Sequence, residues 1–152
     1  AWAKDQGKTL FELLLDIYMS AGFSQEKMKA IVRKGKSGAE EIDTIMKKFR
    51  QTPPKKLGGS KVIEVKDYSV LKTWNPNTGQ TSDITDKPTT SNVLQFFTED
   101  GSKVSVRPSG TEPKIKFYFE VKGVLENRES FNHTSEKALE KIDKIMDDME
   151  VE

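Results

Sequence analysis

Five residues in one short stretch have the chemistry to hold an anion: Arg107, Ser109, Gly110, Thr111 and Lys116. They lie in Arg107-Pro108-Ser109-Gly110-Thr111-Glu112-Pro113 and in the run Lys114 to Val121 that follows it. A guanidinium presents a planar fork of donors that matches two phosphate oxygens at once. The Ser109 and Thr111 hydroxyls each offer one donor. Gly110 lets the backbone approach an anion closely, and successive N–H groups can form a concave nest. Pro108 and Pro113 stiffen the loop and lower the entropy lost when a ligand orders it. Charge-assisted hydrogen bonds contribute about 1.5–3 kcal/mol each, so several together suffice for a phosphate. The same residues are also turn formers for purely conformational reasons, and Arg107 could instead pair with Glu112. From composition alone both readings stand. The loop is not of the Walker type, since no Gly-Lys-Ser/Thr ending leads into a helix.

The elements on either side must position these groups. Val104 and Val106 predict one apolar face of a strand over 103–107, which leaves Lys103, Ser105 and Arg107 on the other. In the next strand, Ile115, Phe117, Phe119 and Val121 form the apolar face, and Lys114, Lys116, Tyr118 and Glu120 the polar one. If these strands are neighbours, Arg107 and Lys116 project together near the loop mouth. Asp100-Gly101 signals a tight turn back to a strand over 93–98, and Lys61 to Val65 reads as a further short strand.

Helical periodicity appears at both ends of the chain. Thr9-Leu10-Phe11-Glu12 fits a capping box opening a helix from about 10 to 21, stopped by Gly22. Its stripe is widened by Phe11, Leu15, Tyr18 and Met19, so it requires cover on more than one side. Residues 2–7 resemble the last turn of an earlier helix. Ser24 to Ile31 reads as a second, short helix, followed by the basic turn Arg33-Lys34-Gly35-Lys36. Ser37-Gly38-Ala39-Glu40 reads as another capping box, with Ile42, Ile45, Met46 and Phe49 as the buried stripe and Pro53-Pro54 as the stop. Residues 54–60 read as a linker and candidate hinge, and 67–91 as a long exposed connection. Thr134 is placed to cap a final helix with Ala138, Leu139, Ile142, Ile145, Met146 and Met149 facing the core. The fold class expected is α+β: a four-stranded, mainly antiparallel sheet with helices on one face, plus N-terminal helices.

Bulk properties limit the function classes. The 152 residues carry 25 basic and 24 acidic side chains, a net charge of +1. That balance argues against a dedicated nucleic-acid binder, so any anion site must be local. With no cysteine and one histidine, His133, thiolate metal sites and disulfides are excluded and zinc is disfavoured. No apolar run is long enough to span a bilayer, and a cytoplasmic location is the expectation. The first residue is Ala1 rather than Met, which reads as a piece of a longer chain.

The stretch Arg107-Pro108-Ser109-Gly110-Thr111-Glu112-Pro113-Lys114-Ile115-Lys116 resembles, ungapped over ten residues, the phosphate-binding loop of the α-D-phosphohexomutases, the phosphoglucomutase/phosphomannomutase family. Lys4 to Leu10 is similar to the end of that family's third domain. Gly35-Lys36-Ser37-Gly38 through Pro53-Pro54 is similar to the connection into the fourth, and Asn92 to Ser102 to the hairpin before the loop. The resemblance implies three parts: a helical end of the third domain over 1–22, a helical connection over 23–57, and a C-terminal phosphate-binding domain over 58–152.

It also implies a role. Such enzymes interconvert hexose 1-phosphate and hexose 6-phosphate, of glucose or mannose, through a phosphoserine and a hexose 1,6-bisphosphate. A magnesium ion held by three aspartates assists. The fourth domain grips the phosphate that is not reacting, with Arg107, Ser109, Gly110 and Thr111 at the binding positions and Lys116 as an additional cation. No nucleophile, metal or sugar-recognition loop of the family is found here, so no catalytic residue or metal ligand is expected in this chain and the piece alone should be inactive. Its partners would be a phosphosugar and the remaining domains of the same chain, with neither nucleic acid nor membrane. An alternative from another class is an RNA-binding sheet using Phe96, Phe97, Phe117, Tyr118 and Phe119.

Overall fold

The computed structural model describes residues 7, 9–86 and 89–151; the helix end expected over 2–6 lies outside them. At the centre, strands β7 (Lys103–Pro108) and β8 (Lys114–Gly123) pair antiparallel. Val104, Val106, Ile115, Phe117, Phe119 and Val121 alternate inward, as their period of two requires, and all are buried. β6 (Leu94–Thr98) pairs with β7 through the turn at 98–102.

The sheet is wider than the four strands expected. Its order is β1 (Phe23–Val32), β8, β7, β6, β3 (Ser60–Asp67), β4 (Lys72–Trp74) and β5 (Thr81–Asp83), and β2 (Lys56–Leu57) pairs with β3 off that path. β1 (Phe23–Val32) occupies the stretch in which 24–31 was expected to be helical. Ser24-Gln-Glu-Lys-Met-Lys-Ala favours a helix intrinsically, but ten positions of antiparallel pairing with β8 override that preference. The expected helical connection over 23–57 therefore begins with an edge strand, whose Glu and Lys residues also discourage pairing with other chains. The connection over 67–91 is not wholly irregular either: β4 (Lys72–Trp74) and β5 (Thr81–Asp83) form a hairpin that extends the sheet. Three-residue strands are too short to show a period among so many turn formers.

Three α-helices complete the described residues. α1 (Leu10–Ala21) begins as expected, the Glu12 N–H donating to the Thr9 hydroxyl at 3.1 Å. Leu15 reaches the core, and Tyr18 meets Phe23 and Phe131. Leu10, Phe11, Leu14 and Ile17 keep an apolar stripe exposed. α2 (Gly35–Gln51) starts two residues before Ser37, so the expected capping box is internal to the helix and Lys34 is the N-cap, without a side-chain bond. Gly38 is required here, because a Cβ would meet the Arg33 carbonyl at 2.6 Å.

α3 (Phe131–Asp148) likewise begins earlier than Thr134, after a 3-10 turn at Arg128–Ser130, and Leu139 faces outward rather than into the core. α2 and α3 cover the apolar face of the sheet; Phe49 on α2 meets Phe96 and Phe117 edge-on. The other face is open. Residues 54–60, expected as a linker, are fastened instead. Leu57 is fully buried, the Gly58 N–H donates to Asp148 at 2.8 Å, and the Asn77 amide donates to the Lys55 and Val62 carbonyls.

Candidate phosphate-binding site

β7 and β8 bring Arg107 and Lys116 directly opposite each other, on the open face of the sheet. Pro108 closes the pairing against Ile115, and residues 109–113 form the loop beyond it. The backbone of the loop is set by a few short bonds. The Ser109 N–H donates to the Lys114 carbonyl at 2.8 Å, and the Lys114 N–H to the Glu112 carbonyl at 2.8 Å. From the edge strand, the Arg33 N–H donates to the Pro113 carbonyl at 2.7 Å, tying the end of β1 to the base of the loop.

Ser109 organises the interior. Its Oγ accepts from the Thr111 and Glu112 N–H groups, both at 3.3 Å, and lies 3.5 Å from the Thr111 hydroxyl. An oxygen used as an acceptor in this way keeps its own O–H free to donate. The Gly110 N–H has no partner among the described residues. A Cβ at Gly110 would point into open space, and its φ lies outside the left-handed region. Neither packing nor backbone strain inside the protein therefore demands glycine at this position. What glycine does supply is an unobstructed backbone donor.

Arg107, Pro108, Ser109, Gly110, Lys116 and Tyr118 line an open pocket of about 230 Å³. Thr111 lies on the other side of the loop, in a hollow of about 300 Å³ shared with Gly35, Asp43 and Asn92. The structure thus brings four of the five expected residues into one pocket and sets Thr111 on the far side of the loop, facing α2. The pairing of Arg107 with Glu112 that an ordinary turn would allow is absent: neither residue makes an ion pair with a described residue. Lys116 likewise makes no ion pair with a described residue. Several charged groups nearby are compensated. Glu120, on the same face, is held below the ordinary carboxylate range, chiefly by the Lys122 ammonium at 2.6 Å, then by the Ser24 hydroxyl at 3.1 Å against the opposing effect of burial. Arg33 pairs with Glu41 at 3.1 Å, and Arg50 with the buried Asp67 at 3.1 Å. Two uncompensated cations facing one pocket with a free N–H and an available hydroxyl can bind a phosphate dianion.

Residues 25–129 match the family described as phosphoglucomutase/phosphomannomutase, C-terminal domain. The chain belongs to the phosphoglucomutase/phosphomannomutase family. The matched span contains all five pocket and loop residues. The phosphoglucomutase of Staphylococcus haemolyticus is 37% identical over 115 residues, 76% of this chain and 20% of that protein. That of Staphylococcus saprophyticus is 36% identical over 127 residues, 82% of this chain and 22% of its own length. This chain therefore spans about a fifth of the length of the curated relatives it matches. The open form of parafusin, a phosphoglucomutase from Paramecium, superposes with a TM-score of 0.51 at 19% identity, over 93% of this chain and 23% of that one. That likeness supports the family's α+β fold.

Two further expectations can be set against the geometry. Among the described residues no group of three or more His, Cys, Asp or Glu is placed to hold a metal ion. Of the five rings proposed for an RNA platform, Phe96, Phe117 and Phe119 are buried in the core. Phe97 is half-buried between Lys66 and Lys103, at 5.3 and 5.9 Å from its ring centre. Of the five, Tyr118 alone is well exposed, and it borders the pocket lined by Arg107 and Lys116. No described helix is long and apolar enough to cross a membrane.

Proposed function

We propose that this chain is the phosphate-gripping portion of a phosphohexomutase that interconverts hexose 1-phosphate and hexose 6-phosphate. Glucose is the favoured sugar, because the relatives that match are named phosphoglucomutases; a mannose phosphate is a second substrate of the same geometry. The observation that carries the reading is the convergence of two cations, Arg107 and Lys116, that have no ion-pair partner among the described residues, on a pocket that also receives the Gly110 backbone and Ser109. Arg107 takes two phosphate oxygens through its donor fork, Lys116 adds a point charge, and the Gly110 N–H and the Ser109 hydroxyl complete the cradle, with Thr111 behind the loop beside Ser109.

The gripped phosphate is the one that does not react. Bond making and breaking, the phosphoserine that donates and recovers the phosphoryl group, and the magnesium ion belong to other parts of the longer protein. A grip that reads only charge and oxygen geometry accepts the phosphate of either end of a hexose 1,6-bisphosphate, as an exchange of ends requires. Such a reaction runs in a cytoplasmic setting where phosphosugars are available.

The test is a binding measurement on the 152-residue chain with glucose 1-phosphate, paired with an assay for its conversion to glucose 6-phosphate. Binding that is lost in Arg107→Ala, with no turnover by either form, is the expected result. Turnover by the chain alone, or binding indifferent to Arg107, contradicts the assignment.

A further inference from the structure

The phosphate pocket does not end at the loop. On the sheet side its wall is Tyr118, two residues beyond Lys116 on β8 and therefore about 7 Å along the same face. The same ring also borders a second, larger hollow of about 410 Å³ toward β1, with Met28, Lys103 and Ser105 among its lining. The two concavities meet at this ring. Tyr118 is 44% exposed, and among the described residues it has neither a hydrogen-bond partner nor a ring contact. An exposed, unpartnered aromatic beside a cationic pocket is an expensive way to build a soluble face. Its neighbours on that face are the polar Lys116, Ser105 and Glu120 and, directly opposite on β1, the exposed Met28.

We propose that Tyr118 is the platform on which the hexose ring of a phosphosugar rests while its phosphate is held by Arg107 and Lys116. The inference rests on the phosphate grip and adds the sugar to it. A phosphate bound between the two cations extends its ester oxygen and first carbons past the loop, and the ring wall nearest them is Tyr118. Sugars carry faces of C–H groups as well as hydroxyls, and an aromatic face offers them contact area at low entropic cost. Such a contact has no fixed donor–acceptor polarity. It therefore serves a hexose bound through its 1-phosphate as well as one bound through its 6-phosphate, whereas a set of directional hydrogen bonds would favour one orientation.

The experiment is an NMR titration of the 152-residue chain and of Tyr118→Ala and Tyr118→Phe with inorganic phosphate, glucose 1-phosphate and glucose 6-phosphate. The alanine variant is expected to bind both sugar phosphates about fivefold more weakly and inorganic phosphate unchanged. The phenylalanine variant should match the parent. Unchanged sugar-phosphate binding in Tyr118→Ala overturns the platform, as does an equal loss for inorganic phosphate. A loss in Tyr118→Phe as large as in the alanine variant assigns the effect to the hydroxyl and overturns it too. Absence of inorganic phosphate binding in the parent, by contrast, removes the grip itself and the platform with it.

Discussion

Two connections at opposite ends of the central hairpins use almost the same residues and reach opposite outcomes. The β6–β7 turn is Thr98-Glu99-Asp100-Gly101-Ser102; the β7–β8 loop contains Ser109-Gly110-Thr111-Glu112. In the first, the Thr98 and Ser102 hydroxyls and the Asp100 carboxylate are all bonded within the fold, and the exposed Glu99 carboxylate is the one side chain without a partner among the described residues. Ser102 donates from its N–H to the Thr98 hydroxyl and from its Oγ to Asp100, both at 3.0 Å. The Asp100 N–H reaches Ser60, and its carboxylate pairs with Lys141 of α3. Thr98 and Ser102 are buried, and Gly101, with φ +88°, occupies a backbone region that only glycine takes without strain. In the second, neither the flanking cations nor the Gly110 N–H have a partner among the described residues, and glycine is not demanded by φ. Composition does not separate a structural turn from a binding loop. What separates them is whether the hydrogen-bonding capacity closes internally.

That contrast can be broken from either side. The largest effect is expected in the closed turn. Asp100→Ala leaves Lys141 and the Ser102 donors without their acceptor and should cost about 2–3 kcal/mol of stability, read as a lowered urea midpoint, with phosphate affinity unchanged. At the open loop the pattern should invert. Arg107→Ala should weaken phosphate binding by about tenfold to a hundredfold, the equivalent of one charge-assisted contact, while shifting stability by no more than about 0.5 kcal/mol, as surface substitutions do. Gly110→Ala sharpens the point further. It should raise stability by up to about 1 kcal/mol through the unfolded chain and reduce phosphate affinity several-fold by placing a methyl over the free N–H; Gly101→Ala should instead destabilise. The smallest effect is ionic. Raising salt from 0.01 to 0.15 M, which shortens the screening length from about 30 to 8 Å, should weaken phosphate binding a few-fold and leave the closed turn's contribution nearly untouched.

Much of this was legible in the sequence for the same physical reason throughout: long alternating runs declare their faces. Val104 to Arg107 and Lys114 to Val121 fixed Arg107, Lys116 and Tyr118 on one side before any coordinates. β1 was not legible, because its Gln, Glu, Lys and Met are helix formers and its pairing partner lies some ninety residues away. The β4–β5 hairpin was hidden by strand length. Helix starts at Gly35 and Phe131 were missed where no side-chain cap marks them. At the site, the residues were readable but their freedom was not. That Arg107 ignores Glu112, and that Ser109 accepts two N–H groups while Gly110 is left open, are facts of three-dimensional pairing.

The most direct measurement is the amide spectrum of the 152-residue chain as inorganic phosphate is added, with the Gly110 and Gly101 signals compared. A saturable shift at Gly110, largest among the loop amides, with Gly101 stationary, is the result expected of an open cradle beside a closed turn. A stationary Gly110, or equal displacement of both glycines, would mean that the loop at 107–116 does not hold a phosphate.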